Sequence, residues 1–203
     1  MFNDSRLCRS MKQLTGSLAG TIVALVVMLI PAVAPAADVA SASKASQSDV
    51  VRAAQLEVER QGMLKSREIR SGFPRLMETN FELLAPGTDR FNCIAWSAGI
   101  TDRWVWPGAN VVDFDKLYAE HGYRRLADPD YSVQPGVEKV VLYAKVTKDG
   151  SLTATHAARQ EAAGTWSSKL GQCPLIRHQT PEDLVGPAYG LPIAVYIRVR
   201  GTN

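Results

Sequence analysis

The chain has 203 residues, the length of one domain with at most a small second one. It is 46% hydrophobic and 21% charged, which excludes a wholly disordered chain, and its 15 Gly and 11 Pro exclude a collagen-like or low-complexity one. A net charge of +3 is too small to argue for nucleic acid. Three Cys and three His, with no CxxC or HxxxH spacing, point to no metal site and to no other cofactor.

The N-terminus reads as an export signal. Arg6, Arg9 and Lys12 stand against the single acid Asp4, and no charge occurs from Gln13 to Ala37. The apolar centre Leu18–Ile30 has signal-peptide length rather than membrane-span length. Pro31 breaks it, and Ala34-Pro35-Ala36 supplies the small side chains that a signal peptidase accepts. Cleavage after Ala36 makes residues 1–36 a signal peptide; the alternative is an uncleaved N-terminal membrane anchor. Met11-Lys12 offers a second possible start. Removing residues 1–36 leaves 20 basic and 19 acidic residues, a nearly neutral mature protein with no electrostatic pull toward nucleic acid or membrane.

Residues 37–49 are rich in Ala and Ser and read as a flexible linker. Ser48-Asp49 is placed to cap a surface helix over about 50–69, within a segment 50–72 that Gly72-Phe73-Pro74 closes. Residues 73–200 form the dense domain. Phe81–Leu84 is a short strand or a turn, Cys93–Gly99 a small apolar buried helix, and Asp113–His121 an amphipathic helix ended by Gly122. Val137–Val146, Leu152–Arg159, Thr165–Lys169 and Ile193–Val199 read as strands, with turns at Lys148-Asp149-Gly150 and Glu161–Gly164. Thr180-Pro181-Glu182-Asp183 has the composition of a helix start, and Pro187–Pro192 that of a turn into the last strand. Helices first and then an antiparallel run is the order of an α+β domain, with a sheet of four to six strands expected.

Cys93 begins its helix, where the dipole favours a thiolate. His156 lies on a strand among small residues. A helix-borne Cys facing a strand-borne His is the arrangement of a thiol acyl-transfer pair, in which imidazole takes the thiol proton and returns it to the leaving group. Ser168, on the following strand, or His178 is placed to orient that imidazole. The alternatives are a Cys93–Cys173 disulfide, an inert buried Cys93 and a structural His156. His121, at a helix end, complements the dipole. Trp104-Val105-Trp106-Pro107 sets two aromatics on one side of an extended segment, as a sugar-stacking platform, a cleft wall or a core cover.

Phe91-Asn92-Cys93-Ile94-Ala95-Trp96, Trp104-Val105-Trp106-Pro107, Thr155-His156-Ala157-Ala158-Arg159-Gln160, Trp166-Ser167-Ser168-Lys169-Leu170-Gly171 and Ile176-Arg177-His178 follow one another as in an uncharacterised bacterial domain-of-unknown-function family. The resemblance covers about 73–200. More distantly the chain resembles NlpC-type, papain-like cell-wall peptidases. That likeness implies a papain-like antiparallel sheet with the Cys-bearing helix packed on one face. It implies Cys93 as nucleophile, His156 as base, and Ser168 in a place more commonly held by His, Asn or Gln. Asn92, Trp96, Trp104 and Trp106 would line the substrate cleft. The expected function is an exported, periplasmic or secreted thiol hydrolase or acyltransferase acting on amide bonds, with peptide or peptidoglycan as the available substrate. The alternative is a non-catalytic exported binding domain of papain-like shape.

Overall fold

The structure, a computed structural model, describes residues 46–200. The signal-peptide reading and most of the expected linker lie outside these residues. Helix α1 (Gln47–Lys65) starts earlier than expected: Ser46, rather than Ser48, caps it through the Asp49 backbone N–H, and the Asp49 carboxylate accepts from the Ser46 backbone in return. Ser66 ends α1 and caps the short α2 (Arg67–Gly72). Val50, Val51 and Val58 of α1 are exposed while Met63 is fully buried, so only its C-terminal part is anchored.

The core elements are strand β1 (Phe81–Ala85), helix α3 (Cys93–Ser97), helix α4 (Val111–Glu120) and strands β2 (Arg124–Arg125), β3 (Val137–Val146), β4 (Leu152–Gln160), β5 (Trp166–Lys169), β6 (Leu175–His178) and β7 (Leu191–Val199). The described residues form an α+β fold, with one antiparallel sheet of seven strands in the order β1-β6-β5-β4-β3-β7-β2. This exceeds the four to six strands expected. Strand β6 is not among the expected strands, being four residues long and preceded by Cys173-Pro174, and the two-residue β2 carries no pattern. The helix signal at Thr180 produces a single 3-10 turn, Pro181–Leu184.

Helices cover both faces of the sheet. On one face α1, α2 and the 3-10 turn enclose Met63, Ile69, Phe73, Val141, Tyr143, Ala158, Trp166, Ile176, Leu184 and Val195. On the other, α3 and α4 enclose Cys93, Ile94, Phe114, Tyr118, Val140, Leu142, Ala154, Ala157, Ala194 and Tyr196. Neighbours in sequence on β3 (Val140 and Val141, Leu142 and Tyr143) divide between the two clusters, as the alternation of strand side chains requires. The interior strand β3 is therefore an unbroken buried run from Lys139 to Ala144 instead of an in-out pattern. Each large side chain taken fully out of water here contributes roughly 1.5–3 kcal/mol. Gly190, at φ 77°, brings the chain back to the sheet so closely that a side chain there would strike the Ala144 carbonyl.

Candidate active site and its two faces

Asn92 caps α3: its Oδ1 accepts from the Ala95 backbone N–H at 3.0 Å. Its Nδ2 donates to the Val105 carbonyl at 2.8 Å, and Val105 N–H donates back to Oδ1 at 3.4 Å. One amide thus fixes the start of α3 and clips the Trp104–Pro107 segment to it. Cys93 is the first residue of this five-residue helix and is 5% exposed. It packs in the cluster with Ile94, Ala154 and Ala157, close enough to Tyr118 to help hold that phenol above its ordinary pKa, after burial as the main cause. Tyr118 shares a hydrogen bond of 2.8 Å with Ser97.

His156 is on the other face. The β3–β4 register pairs it with Tyr143, and its ring lies 3.9 Å from that of Tyr189, at 3° to it. Tyr143 and Tyr189 both belong to the cluster opposite Cys93. The expected approach of the Cys93 sulfur to the His156 ring is therefore corrected: the sheet itself separates them. A β-bulge is part of the reason. Alternation puts Ala154, His156 and Ala158 on one face, but the register shifts so that Tyr143 pairs with His156 and Ala144 with Ala154. The additional residue, Thr155, moves Ala154 to the face of α3, where it joins Ala157 as the small-residue seat of the helix. The helix docks on Ala154 and Ala157, whereas His156 and Ala158 lie on the opposite face.

Ser168 and His178 lie on the face of His156. They bond to each other: Ser168 Oγ and His178 Nε2 are 3.0 Å apart, and His178 Nδ1 lies 2.8 Å from the Thr180 carbonyl. A carbonyl only accepts, so Nδ1 carries the hydrogen and Nε2 accepts from the serine hydroxyl. Neither orients His156, whose two ring nitrogens find no hydrogen-bond partner among the described residues. His156, Ser168 and His178 are all fully buried. Burial holds both imidazoles below the ordinary histidine value: His156 well below it, with a smaller push from His178, and His178 down to about 4, its bond to Thr180 partly offsetting the burial. Cys93 and Cys173 also stand on opposite faces and are not bonded to each other. His121 Nδ1 meets the Leu117 carbonyl at 2.9 Å at the end of α4, a local helix-end contact.

Of the cleft residues, Asn92 is buried, Trp96 half-buried, and Trp104 and Trp106 are 46% and 41% exposed. Trp104 Nε1 donates to the Asp89 carbonyl, and Trp106 meets Phe114 edge-on at 5.6 Å. Both indoles are pinned along one edge and open to solvent along the other. Trp96 donates from Nε1 to Ser167 at 3.0 Å and carries the Arg159 guanidinium over its ring at 4.3 Å. Ser167 and Arg159 had not been singled out. The signal was available, since in Trp166-Ser167-Ser168-Lys169 it is Ser167 that shares a face with its register partner Arg159. An apolar groove of about 420 Å³ at the end of β3, β4 and β7 is lined by Ala144, Val146, Leu152, Val185 and Leu191 among others, and none of the expected site residues reaches it. Among the described residues no group of His, Cys, Asp and Glu is arranged to hold a metal ion.

No curated protein and no solved structure matches the chain. A family model described as Domain of unknown function (DUF7689) matches residues 82–197, inside the stretch whose ordered motifs had suggested such a family. That match takes in α3, the tryptophan segment, five of the seven strands in full and most of β1 and β7, and the chain belongs to the DUF7689 family.

Proposed function

We propose that this protein is an exported binding module that takes peptide or peptidoglycan fragments at the Trp104–Trp106 segment, and that it is not a thiol hydrolase. The observation that carries the reading is the division of the expected catalytic groups. Cys93 lies on one face of the sheet, and His156, Ser168 and His178 lie on the other. A base must come within hydrogen-bond reach of the proton it takes, and no rotamer change carries a side chain through a sheet. Against this, two indoles sit on a segment that Asn92 fastens to the start of α3, each with an open edge. Indoles of this kind stack on the apolar faces of sugar rings and on peptide planes with little loss of conformational freedom.

The papain-like outline belongs to the same proposal. A cysteine-bearing helix packs on an antiparallel sheet of which all strands but β1 follow it in the chain, which supports the shape without the chemistry. Export rests on the basic, apolar and alanine-rich pattern of residues 1–36. Titration of the protein with soluble muropeptides, followed by tryptophan fluorescence, tests the function. Saturable quenching is expected, with affinity at least tenfold weaker in Trp104→Ala and Trp106→Ala and unchanged in Cys93→Ala. Cleavage of the muropeptide that disappears in Cys93→Ala would overturn the reading.

A further inference from the structure

The buried histidines share a feature that ligand binding at the tryptophans does not use: both touch one irregular segment. Between β6 and β7 the chain runs through Thr180, the 3-10 turn Pro181–Leu184, and Tyr189. Four contacts fasten this stretch to the sheet. His178 Nδ1 donates to the Thr180 carbonyl at 2.8 Å, Tyr143 Oη donates to the Pro181 carbonyl at 2.8 Å, Thr155 Oγ1 donates to the Tyr189 carbonyl at 2.5 Å, and the Tyr189 ring covers His156 face to face. Outside the sheet it is held by Asn80, whose carbonyl accepts from Gln179 and whose Nδ2 donates to Asp183, and by the Gly72 carbonyl, which accepts from Ala188.

We propose that residues 179–190 are an acid-released strap: protonation of His156 and His178 frees this segment from the sheet while β3, β4 and β7 keep their pairing. An imidazolium at position 156 would have no acceptor at either nitrogen among the described residues and no exposure to solvent. A buried charge without a partner is costly, and the relief is hydration. The cover that must lift to let water in is Tyr189, which belongs to the strap. An imidazolium at position 178 keeps its bond to Thr180, but its Nε2 becomes a donor and Ser168 must turn to accept. The strap is the cheaper part to open, having one 3-10 turn and an isolated bridge between Gly186 and Gly190, whereas β3 is paired along both sides.

The surroundings offer the two cations little compensation. From β3 come Tyr143 and, further along the same face, Lys139 paired with Asp130; from β5, Ser168 and Trp166; from β1, Phe81; from just after α2, Phe73, with Arg67, Glu68 and Arg70 of α2 exposed. The acids nearby are Glu182 and Asp183 of the strap itself, both acting on Tyr143. Burial raises the Asp183 carboxyl, so this group takes up its proton early in the folded state and opposes the histidines, one group against two.

Hydrogen exchange of the whole protein, read by mass spectrometry at pH 7.5 and pH 4.5 and corrected for intrinsic rates, tests the strap. Peptides within 179–190 are expected to lose at least tenfold more protection at pH 4.5 than peptides from 137–146 and 191–199. His156→Phe, which keeps a ring for Tyr189 but no titrating nitrogen, is expected to move the loss to lower pH. Equal loss across all peptides, or none, would overturn the proposal. Should His156→Phe not fold, NMR titration of the wild-type histidines decides. Both buried rings are expected to charge only in step with the loss of protection in 179–190, and titration near pH 6.5 with the strap still protected would contradict it.

Discussion

Asn92 shows how much one side chain sets in this domain. Its carbonyl oxygen caps α3 and its amide nitrogen holds Val105, so the helix start and the tryptophan segment depend on the same residue. Asn92→Ala removes a cap worth about 1 kcal/mol and a buried hydrogen bond worth about 1 kcal/mol more. A loss of about 2 kcal/mol is expected in urea unfolding. Because Val105 lies between the two indoles, the same variant is expected to bind muropeptide more weakly than its lost stability explains, measured well below its melting temperature. Asn92→Asp keeps the capping oxygen and loses the donor to Val105, so it should recover stability more than it recovers binding. Equal recovery of both would show that the segment is not positioned by this residue.

Among the elements, α3 and β4 carry the argument. The helix is five residues long and has too few turns to hold itself in water, so its geometry comes from its seat on Ala154 and Ala157. Ala157→Leu overfills that seat. A cost of roughly 1–3 kcal/mol is expected, together with a changed near-ultraviolet signal from Trp96 and the tyrosines above the sheet. Unchanged stability would mean that the helix is held elsewhere. The strands β3, β4, β5 and most of β7 were legible because their apolar, β-branched runs end in turn residues. Strand β6 was not, since Leu175-Ile176-Arg177-His178 is short and follows Cys173-Pro174. The site failed at a different level. Alternation tells which residues share a face but not which face receives a helix, and at Thr155 a bulge breaks the alternation. Ala154 crosses to the helix side, while His156 and Ala158 stay on the other. The pairing of Cys93 with His156 needed knowledge of both.

For the whole molecule, two neutral buried histidines make stability depend on pH. His178 has a folded value of about 4 against about 6.5 for an unfolded histidine. The folded state therefore prefers the neutral ring, and the unfolded state binds more protons between these values. Stability is full above pH 6.5, falls as the pH drops toward 4, and levels off in this contribution below it. The expected loss from His178 is about 3 kcal/mol, with His156 acting in the same direction and Asp183 against it. Urea midpoints between pH 7.5 and 4.5 measure the sum, and a flat profile would show that the rings are solvated or paired with acids.

The central claim is that the sheet separates Cys93 from His156 and His178, so that neither ring reaches its thiol. The direct measurement is the rate of alkylation of Cys93 by iodoacetamide in the native protein at pH 7.5, in the wild type and in His156→Ala. The separation of the two side chains by the sheet predicts a rate below that of an unstructured thiol, rising only on unfolding, and no slowing in His156→Ala beyond what its changed stability accounts for. Alkylation faster than an ordinary thiol, slowed by His156→Ala, would contradict the account and restore the catalytic pair.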